Sequence, residues 1–172
     1  MNAIFRIEHR LLLAIHADLD RHHRFAAERV GFIACRIAKL PVGFLVLAQS
    51  YHGVSDDDYE DDPYVGAMMG AGAIRKALQF AYNHRVAMFH VHRHDHRGAP
   101  SFSRVDLRES AKFVPDFWNV QPSSPHGAIV LSHDALCGKW WNPQSRQASA
   151  IDEFAVLGRE ITTFHRGQYE PE

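Results

Sequence analysis

The chain has 172 residues, 46% of them hydrophobic and 23% charged, a composition typical of a globular domain and not of a disordered or fibrous chain. Nineteen Lys and Arg against twenty Asp and Glu leave a formal net charge of -1, which removes the electrostatic case for binding nucleic acid or an anionic membrane. Two cysteines are too few for a disulfide scaffold. No apolar run approaches the roughly 20 residues that span a bilayer. We therefore expect one soluble, cytoplasmic domain over residues 1–172.

The first half of the chain predicts one helix and then two strands. Apolar residues at helical spacing predict an amphipathic helix over residues 7–25. β-Branched and aromatic residues predict a strand at 28–35, and a Pro-Val-Gly turn at 41–43 leads into a second, antiparallel strand at 44–48. The acidic run at 56–63 is read as a solvated surface loop, with a contact for a basic partner as the alternative.

The second half of the chain interleaves helices and strands. A segment rich in Gly and Ala opens a helix predicted at 66–83, and a short apolar run predicts a strand at 86–92. Ser103 has the character of a helix N-cap and precedes a short helix. Later strands are predicted at 127–132, 139–141 and 154–164. The pattern predicts an α/β (α+β) fold in three layers, with a mixed sheet flanked by helices.

Thirteen histidines are the unusual feature of the composition. His90 and His92 are two residues apart in a predicted strand, so their side chains emerge on the same face. Two imidazoles on one face can ligate one zinc ion, and Asp106 can supply a carboxylate oxygen as a third ligand. The fourth position is then left for water, which is the arrangement of a catalytic zinc site.

Ordinary structural explanations exist for each part of this pattern. A lone His-x-His is more often two strand histidines, and Ser103 with Asp106 is also the plain start of a helix. His94 and His96 continue the alternation and are interpreted as exposed loop histidines near the substrate channel, with rival ligands as the alternative.

The order of these residues resembles a known motif. His90-x-His92, followed by Pro-x-Phe-Ser-x-x-Asp that ends with Ser103 and Asp106, resembles the JAMM motif of the JAB/MPN-domain zinc metalloproteases. A single His-x-His is a weak signal, but the combination is much more specific.

The upstream part of the chain adds to the resemblance. That family has a Glu in the strand after the first helix, just before an apolar Gly-Phe run, and Glu28 stands in that place here. The likeness spans at least residues 7–132. The loop after His92 is longer than is usual in the family, and Arg93 stands where a Pro is common.

The resemblance implies a role for each matched residue. His90, His92 and Asp106 would be the ligands of one Zn2+ ion. Glu28 would orient and deprotonate the attacking water and return the proton to the leaving amine. Ser103 would donate a hydrogen bond to the tetrahedral oxyanion.

The resemblance also implies an activity and partners. It implies a zinc-dependent isopeptidase or peptidase that hydrolyses the bond after the C-terminal tail of a ubiquitin-like protein, in deconjugation or precursor processing. Details of the pattern resemble stand-alone bacterial JAB proteins encoded beside ubiquitin-like, activating-enzyme-like and conjugating-enzyme-like genes, including the Bil antiphage operons. The implied partners are a ubiquitin-like protein or its conjugates, and those two enzyme types. Two alternatives remain: a non-catalytic MPN scaffold for partner proteins, and a peptidase that processes a sulfur carrier.

Overall fold

The computed structural model describes residues 2–62, 66–158 and 160–165. These residues contain three α-helices: α1 (His9–Leu19), α2 (Ala71–His84) and α3 (Arg104–Phe113). They also contain two 3-10 helices, at Asp56–Asp58 and Val114–Asn119. The strands are β1 (Ala3–Glu8), β2 (Val30–Leu40), β3 (Gly43–Gly53), β4 (Tyr59–Glu60), β5 (Met68–Met69), β6 (Ala87–Arg93), β7 (His126–Leu131), β8 (Leu136–Trp141), β9 (Ala148–Ala150), β10 (Glu153–Leu157) and β11 (Ile161–His165). None of the described helices is long and apolar enough to cross a membrane.

Nine strands form one mixed sheet in the order β11-β10-β1-β3-β2-β6-β7-β8-β9. The parallel pairs are β1 with β10, β1 with β3, and β6 with β7. The strand β6 lies between β2 and β7, so its backbone is hydrogen-bonded along both edges. Side chains on β6 therefore project from a fixed backbone. The strands β4 and β5 form a separate two-stranded ribbon.

The large sheet separates two apolar clusters. One lies under α1 and contains Phe89 and Val91 of β6. The other lies under α2, α3 and the second 3-10 helix, and includes Phe113. Because side chains alternate along a strand, His90 and His92 project to the α2/α3 side, where the His90 ring contacts Phe113.

The sheet curls around the cluster under α1. Phe44 of β3 and Trp140 of β8 are not on neighbouring strands, yet their ring centroids lie 4.7 Å apart in an edge-to-face contact. Phe5 contacts both Phe89 and Phe154, each at 5.5 Å between centroids. Full burial of such a side chain contributes about 1.5–3 kcal/mol to folding, so these aromatic contacts stabilise the curl of the sheet.

The predicted class is confirmed at the level of a mixed α/β structure with a mixed sheet and helices, but several boundaries are wrong. Residues 7–25 do not form one helix, because β1 runs to Glu8 and α1 ends at Leu19. The short alternating strand β1 merges directly into the helical pattern, which hides the boundary in the sequence. The helix ends where the Asp20 N–H bonds to the His16 carbonyl and an irregular segment follows.

Two later boundaries are also wrong. The segment 66–83 begins as strand β5, and α2 starts only at Ala71. The segment 154–164, predicted as one strand, is part of the hairpin of β10 and β11. Two antiparallel strands show the same alternation of side chains as one long strand, so the sequence pattern hides the turn between them. The antiparallel pairing of β2 with β3 and the N-cap role of Ser103 are confirmed.

The acidic run 56–63 has more structure than a plain loop. It contains the first 3-10 helix and β4, and Pro63 lies outside the described residues. Asp56 pairs with the buried Arg29, so part of the run is anchored to the start of β2.

Candidate metal centre

A cavity of about 310 Å³ opens on the α2/α3 side of the sheet, bounded by β5, by α3 and by the start of β2. His90 and His92 line it from β6, and Asp106 lines it from α3. Glu28, just before β2, lines it as well. Four side chains from three separate parts of the sequence therefore meet in one cavity.

His90 and His92 are buried in this cavity by the pairing of β6. Both rings are less than a tenth exposed, and the Nδ1 atom of each has no hydrogen-bond partner among the described residues. Burial, with a smaller contribution from the charge of His92, lowers the pKa of His90 to about 3. The His90 ring is therefore neutral at pH 7 and has a lone pair to share. Buried polar atoms without partners are rare, so the two Nδ1 atoms set these rings apart from ordinary buried histidines.

Asp106 is oriented by a capping box at the start of α3. The Ser103 Oγ accepts a hydrogen bond from the Asp106 backbone N–H at 3.1 Å, and the Asp106 Oδ2 accepts one from the Ser103 N–H at 2.7 Å. Burial alone would raise the pKa of Asp106, but hydrogen bonding to His92, the charge of His92 and the two Ser103 contacts lower it below its usual value. The side chain is therefore an oriented carboxylate at neutral pH.

The Asp106 carboxylate meets two imidazoles. Its Oδ1 lies 3.4 Å from the His92 Nε2, and its Oδ2 lies 3.5 Å from the His94 Nε2. The two Nε2 atoms are 3.2 Å apart. Within the described part of the chain, His92, His94 and Asp106 are the one set of three possible ligands whose atoms all lie within 4.8 Å of one another. This cluster could hold a metal ion.

The spacing of these three atoms fits a single small ion. In a tetrahedral zinc site with bonds of about 2.0–2.2 Å, two ligand atoms lie about 3.3–3.6 Å apart. The separations of 3.2, 3.4 and 3.5 Å are close to that range. Imidazole and carboxylate donors suit zinc and several other divalent transition metals. The residues present therefore fit a metal ion.

Glu28 is positioned by the backbone around it. Its N–H donates to the Gly66 carbonyl at 3.0 Å. A Cβ atom at position 66 would lie 3.0 Å from the Glu28 carboxyl carbon, so the absence of a side chain there leaves room for the carboxylate. The neighbouring Arg29 is buried, pairs with Asp56, and donates from Nε to the Arg21 carbonyl at 3.0 Å. These contacts fix the chain immediately before β2.

The structure separates the predicted site residues into two groups. Glu28, His90, His92 and Asp106 line the cavity, whereas Ser103 is exposed at the start of α3 and does not line it. His90 lies in the cavity but outside the tight cluster that His92 and Asp106 form.

The structure separates His94 from His96, which the sequence analysis treats alike. His94 belongs to the cluster with His92 and Asp106. His96 is exposed, and its Nδ1 lies 2.9 Å from the Arg97 carbonyl. Sequence reasoning did not identify Gly66 and Arg29 as supports of Glu28. The only available signal was the acidic run 56–62, which offers a partner to a buried arginine.

No protein-family model matches the sequence, and no curated protein matches it.

Proposed function

We propose that this chain is a zinc-dependent hydrolase of the JAB/JAMM type with the corresponding fold. It acts as an isopeptidase or peptidase on the bond after the C-terminal tail of a ubiquitin-like protein. The observation that carries the proposal is that Glu28 lines the same cavity as His90, His92 and Asp106. A carboxylate base beside two imidazoles and a second carboxylate is what hydrolysis of an amide with a metal-activated water needs. A scaffold would not need this convergence.

His92 and Asp106 would hold the metal, with His90 as the third ligand. The unpaired Nδ1 of His90 and its lack of positive charge favour this role. When bound, zinc acidifies a water molecule and polarises the carbonyl of the substrate.

Glu28 is the general base and then the general acid in this proposal. Its carboxylate takes a proton from the attacking water as the water oxygen bonds to the carbonyl carbon. It then gives that proton to the nitrogen of the leaving amine as the C–N bond breaks. The hydrogen bond from the Glu28 N–H to the Gly66 carbonyl fixes the backbone from which the carboxylate reaches the cavity.

Ser103 stabilises the oxyanion in this proposal. A hydroxyl group both accepts and donates, so Ser103 can accept from the Asp106 N–H while its own O–H donates to the substrate. Because Ser103 is exposed, the scissile carbonyl must lie near the first turn of α3.

The ribbon beside the cavity supports an extended substrate. In the described residues β5 pairs only with β4, and Met68 and Met69 line the cavity. An extended tail can hydrogen-bond to an unpaired strand edge and place its next peptide bond over the cavity. A ubiquitin-like protein with a protruding C-terminal tail has this shape. In this proposal the chain acts in antiphage defence, together with activating-enzyme-like and conjugating-enzyme-like proteins.

The test compares two carboxylates of the same cavity. Glu28→Gln should keep one zinc per chain but lower cleavage of a ubiquitin-like protein fused through its tail to a reporter by about 100-fold or more. Glu109 also lines the cavity but pairs with Lys112, so Glu109→Gln is the matched control and should cleave within a few fold of wild type.

Elemental analysis and cleavage are measured together. Zinc that binds to wild type without cleavage of any ubiquitin-like fusion would contradict the proposed activity. Loss of zinc in Glu28→Gln would contradict the role of Glu28 as a base that is not a ligand.

A further inference from the structure

Three histidines form a row along β6 and just beyond its end. The ring centroids of His90 and His92 are 5.5 Å apart, and those of His92 and His94 are 5.0 Å apart. His94 follows the last residue of β6, but its backbone N–H still bonds to the Leu131 carbonyl at 2.9 Å. Its backbone is therefore held against β7, and its side chain stays in the row.

His92 is the middle ring of this row, and Asp106 faces it. A metal site that contains these two residues can gain its third protein ligand in two ways. The inner metal position has His90 as its third ligand, and the outer metal position has His94. The three ligand atoms of the outer position are the ones that already lie 3.2–3.5 Å apart.

The two positions differ in their surroundings. His90 lines the cavity that contains Glu28, whereas His94 does not line it. The side chains of His94 and Asp106 are 22% and 16% exposed, against 4% for His92. The outer position is therefore the more exposed of the two, because the two histidines of the inner position are each less than a tenth exposed. Only the inner position has all three of its ligands in the cavity that Glu28 lines.

We propose that this chain has two overlapping metal positions and that the outer one, completed by His94, loads the inner one, completed by His90. The inference rests on the proposed function, since it takes His90 as a ligand of the working site. A metal site needs an access path as well as ligands. An ion that reaches the partly exposed His94 and Asp106 exchanges His94 for His90 while His92 and Asp106 stay in contact with it.

In this proposal the exchange proceeds by side-chain rotation, because the backbone around His94 is held in place. The segment after β6 is fastened to the β7–β8 turn, since the Gly98 N–H donates to Asp134 at 2.7 Å and the His133 N–H donates to the His96 carbonyl at 2.9 Å. The backbone of His94 therefore has no reason to move. Because two ligands are shared, the chain holds one ion at a time.

The test measures Co2+ affinity by competition with a chromophoric chelator, and uptake by stopped flow, in the whole chain. His94→Ala should bind one Co2+ within about tenfold of the wild-type affinity, but take it up at least about tenfold more slowly. His90→Ala should also keep one Co2+ within about tenfold, held at the outer position, with a changed visible spectrum. His90→Leu fills the volume of the lost ring and checks that folding is not the cause of any loss.

The double variant His90→Ala/His94→Ala is decisive. If the two residues acted independently, the losses would multiply to about 100-fold. Because each residue replaces the other, we expect a loss of about 1,000-fold or more. His96→Ala is the matched control, since His96 is the next histidine beyond the row and is exposed. The Co2+ affinity and uptake rate of this variant should equal those of wild type.

The contradictory outcomes are distinct. If both His90 variants lose Co2+ as completely as His92→Ala, the outer position does not exist, and the proposed function stands. If His94→Ala binds at the wild-type rate with the wild-type spectrum, the loading role is wrong. If His94→Ala loses the ion and His90→Ala keeps it, His94 is the true third ligand and the ligand set of the proposed function is wrong.

Discussion

Two buried histidine sites lie on the same side of the sheet, and they differ in one respect. His126 of β7 is fully buried, stacks on Phe117, accepts a hydrogen bond from the Met88 N–H at 3.1 Å, and lies 3.2 Å from the Gln121 carbonyl through Nε2. His90 and His92 are also buried, but among the described residues the Nδ1 atom of each has no hydrogen-bond partner. Burial alone therefore does not mark a candidate ligand, whereas a ring nitrogen left without a partner does.

The largest expected effect on stability comes from His126, whose two ring nitrogens both have hydrogen-bond partners. His126→Ala should lower the free energy of unfolding by about 4 kcal/mol, because two buried backbone groups lose partners at about 1–3 kcal/mol each and a cavity forms. Metal content should not change. Chemical denaturation with elemental analysis checks both. His126→Asn keeps an acceptor for the Met88 N–H, so its free energy of unfolding should fall less than that of His126→Ala. An equal fall in the two variants would mean that this hydrogen bond contributes nothing to stability.

The second-largest effect should come from a fall in pH, which lowers the stability of the protein through the same residue, His126. Burial lowers the pKa of His126 to about 4, partly offset by its bond to the Gln121 carbonyl. Between that value and 6.5 the unfolded chain binds the proton and the folded chain does not, so stability is present above pH 6.5 and is lost as the pH falls. The free energy of unfolding falls by about 3 kcal/mol over this pH range. Denaturation curves of wild type should show a steeper decline than those of His126→Asn; parallel declines would exclude His126 as a cause.

The unsatisfied histidines should respond to metal instead. At a zinc concentration of about 100 times Kd, binding to the folded chain raises the free energy of unfolding by about 2.7 kcal/mol. Asp106→Asn keeps a capping oxygen for the Ser103 N–H but loses the charge, so its metal-free stability should stay near wild type and its stabilisation by zinc should disappear. Thermal unfolding with and without a chelator measures both. Full stabilisation of Asp106→Asn by zinc would show that Asp106 is not a ligand.

The smallest expected effect sharpens the role of Glu28. Gly66→Ala places a methyl group 3.0 Å from the Glu28 carboxyl carbon, which displaces the carboxylate by a few tenths of an ångström. We expect turnover to fall about tenfold, equivalent to about 1.4 kcal/mol, with zinc content unchanged. Steady-state kinetics on the fusion substrate measure it. Unchanged turnover would show that Glu28 does not need its present position.

Two pairs of candidate site residues were predictable because the members of each pair are close in sequence and lie in regular elements. His90 and His92 share a face because strand side chains alternate, and Ser103 with Asp106 makes a capping box at a fixed spacing. These are local rules. The boundary between β1 and α1 and the hairpin β10–β11 were not predictable, because adjacent elements have compatible patterns and only pairing partners separate them.

The amino-acid sequence by itself determined the mixed class of the fold, the face of β6 that bears the imidazoles and the start of α3. Each depends on contacts among residues a few positions apart. Only the tertiary structure decided that Glu28 joins this cavity, since its position depends on Gly66 and on the burial of Arg29. It also decided which third histidine meets His92 and Asp106. That outcome follows from the pairing of His94 with β7, a long-range hydrogen bond that no local pattern encodes.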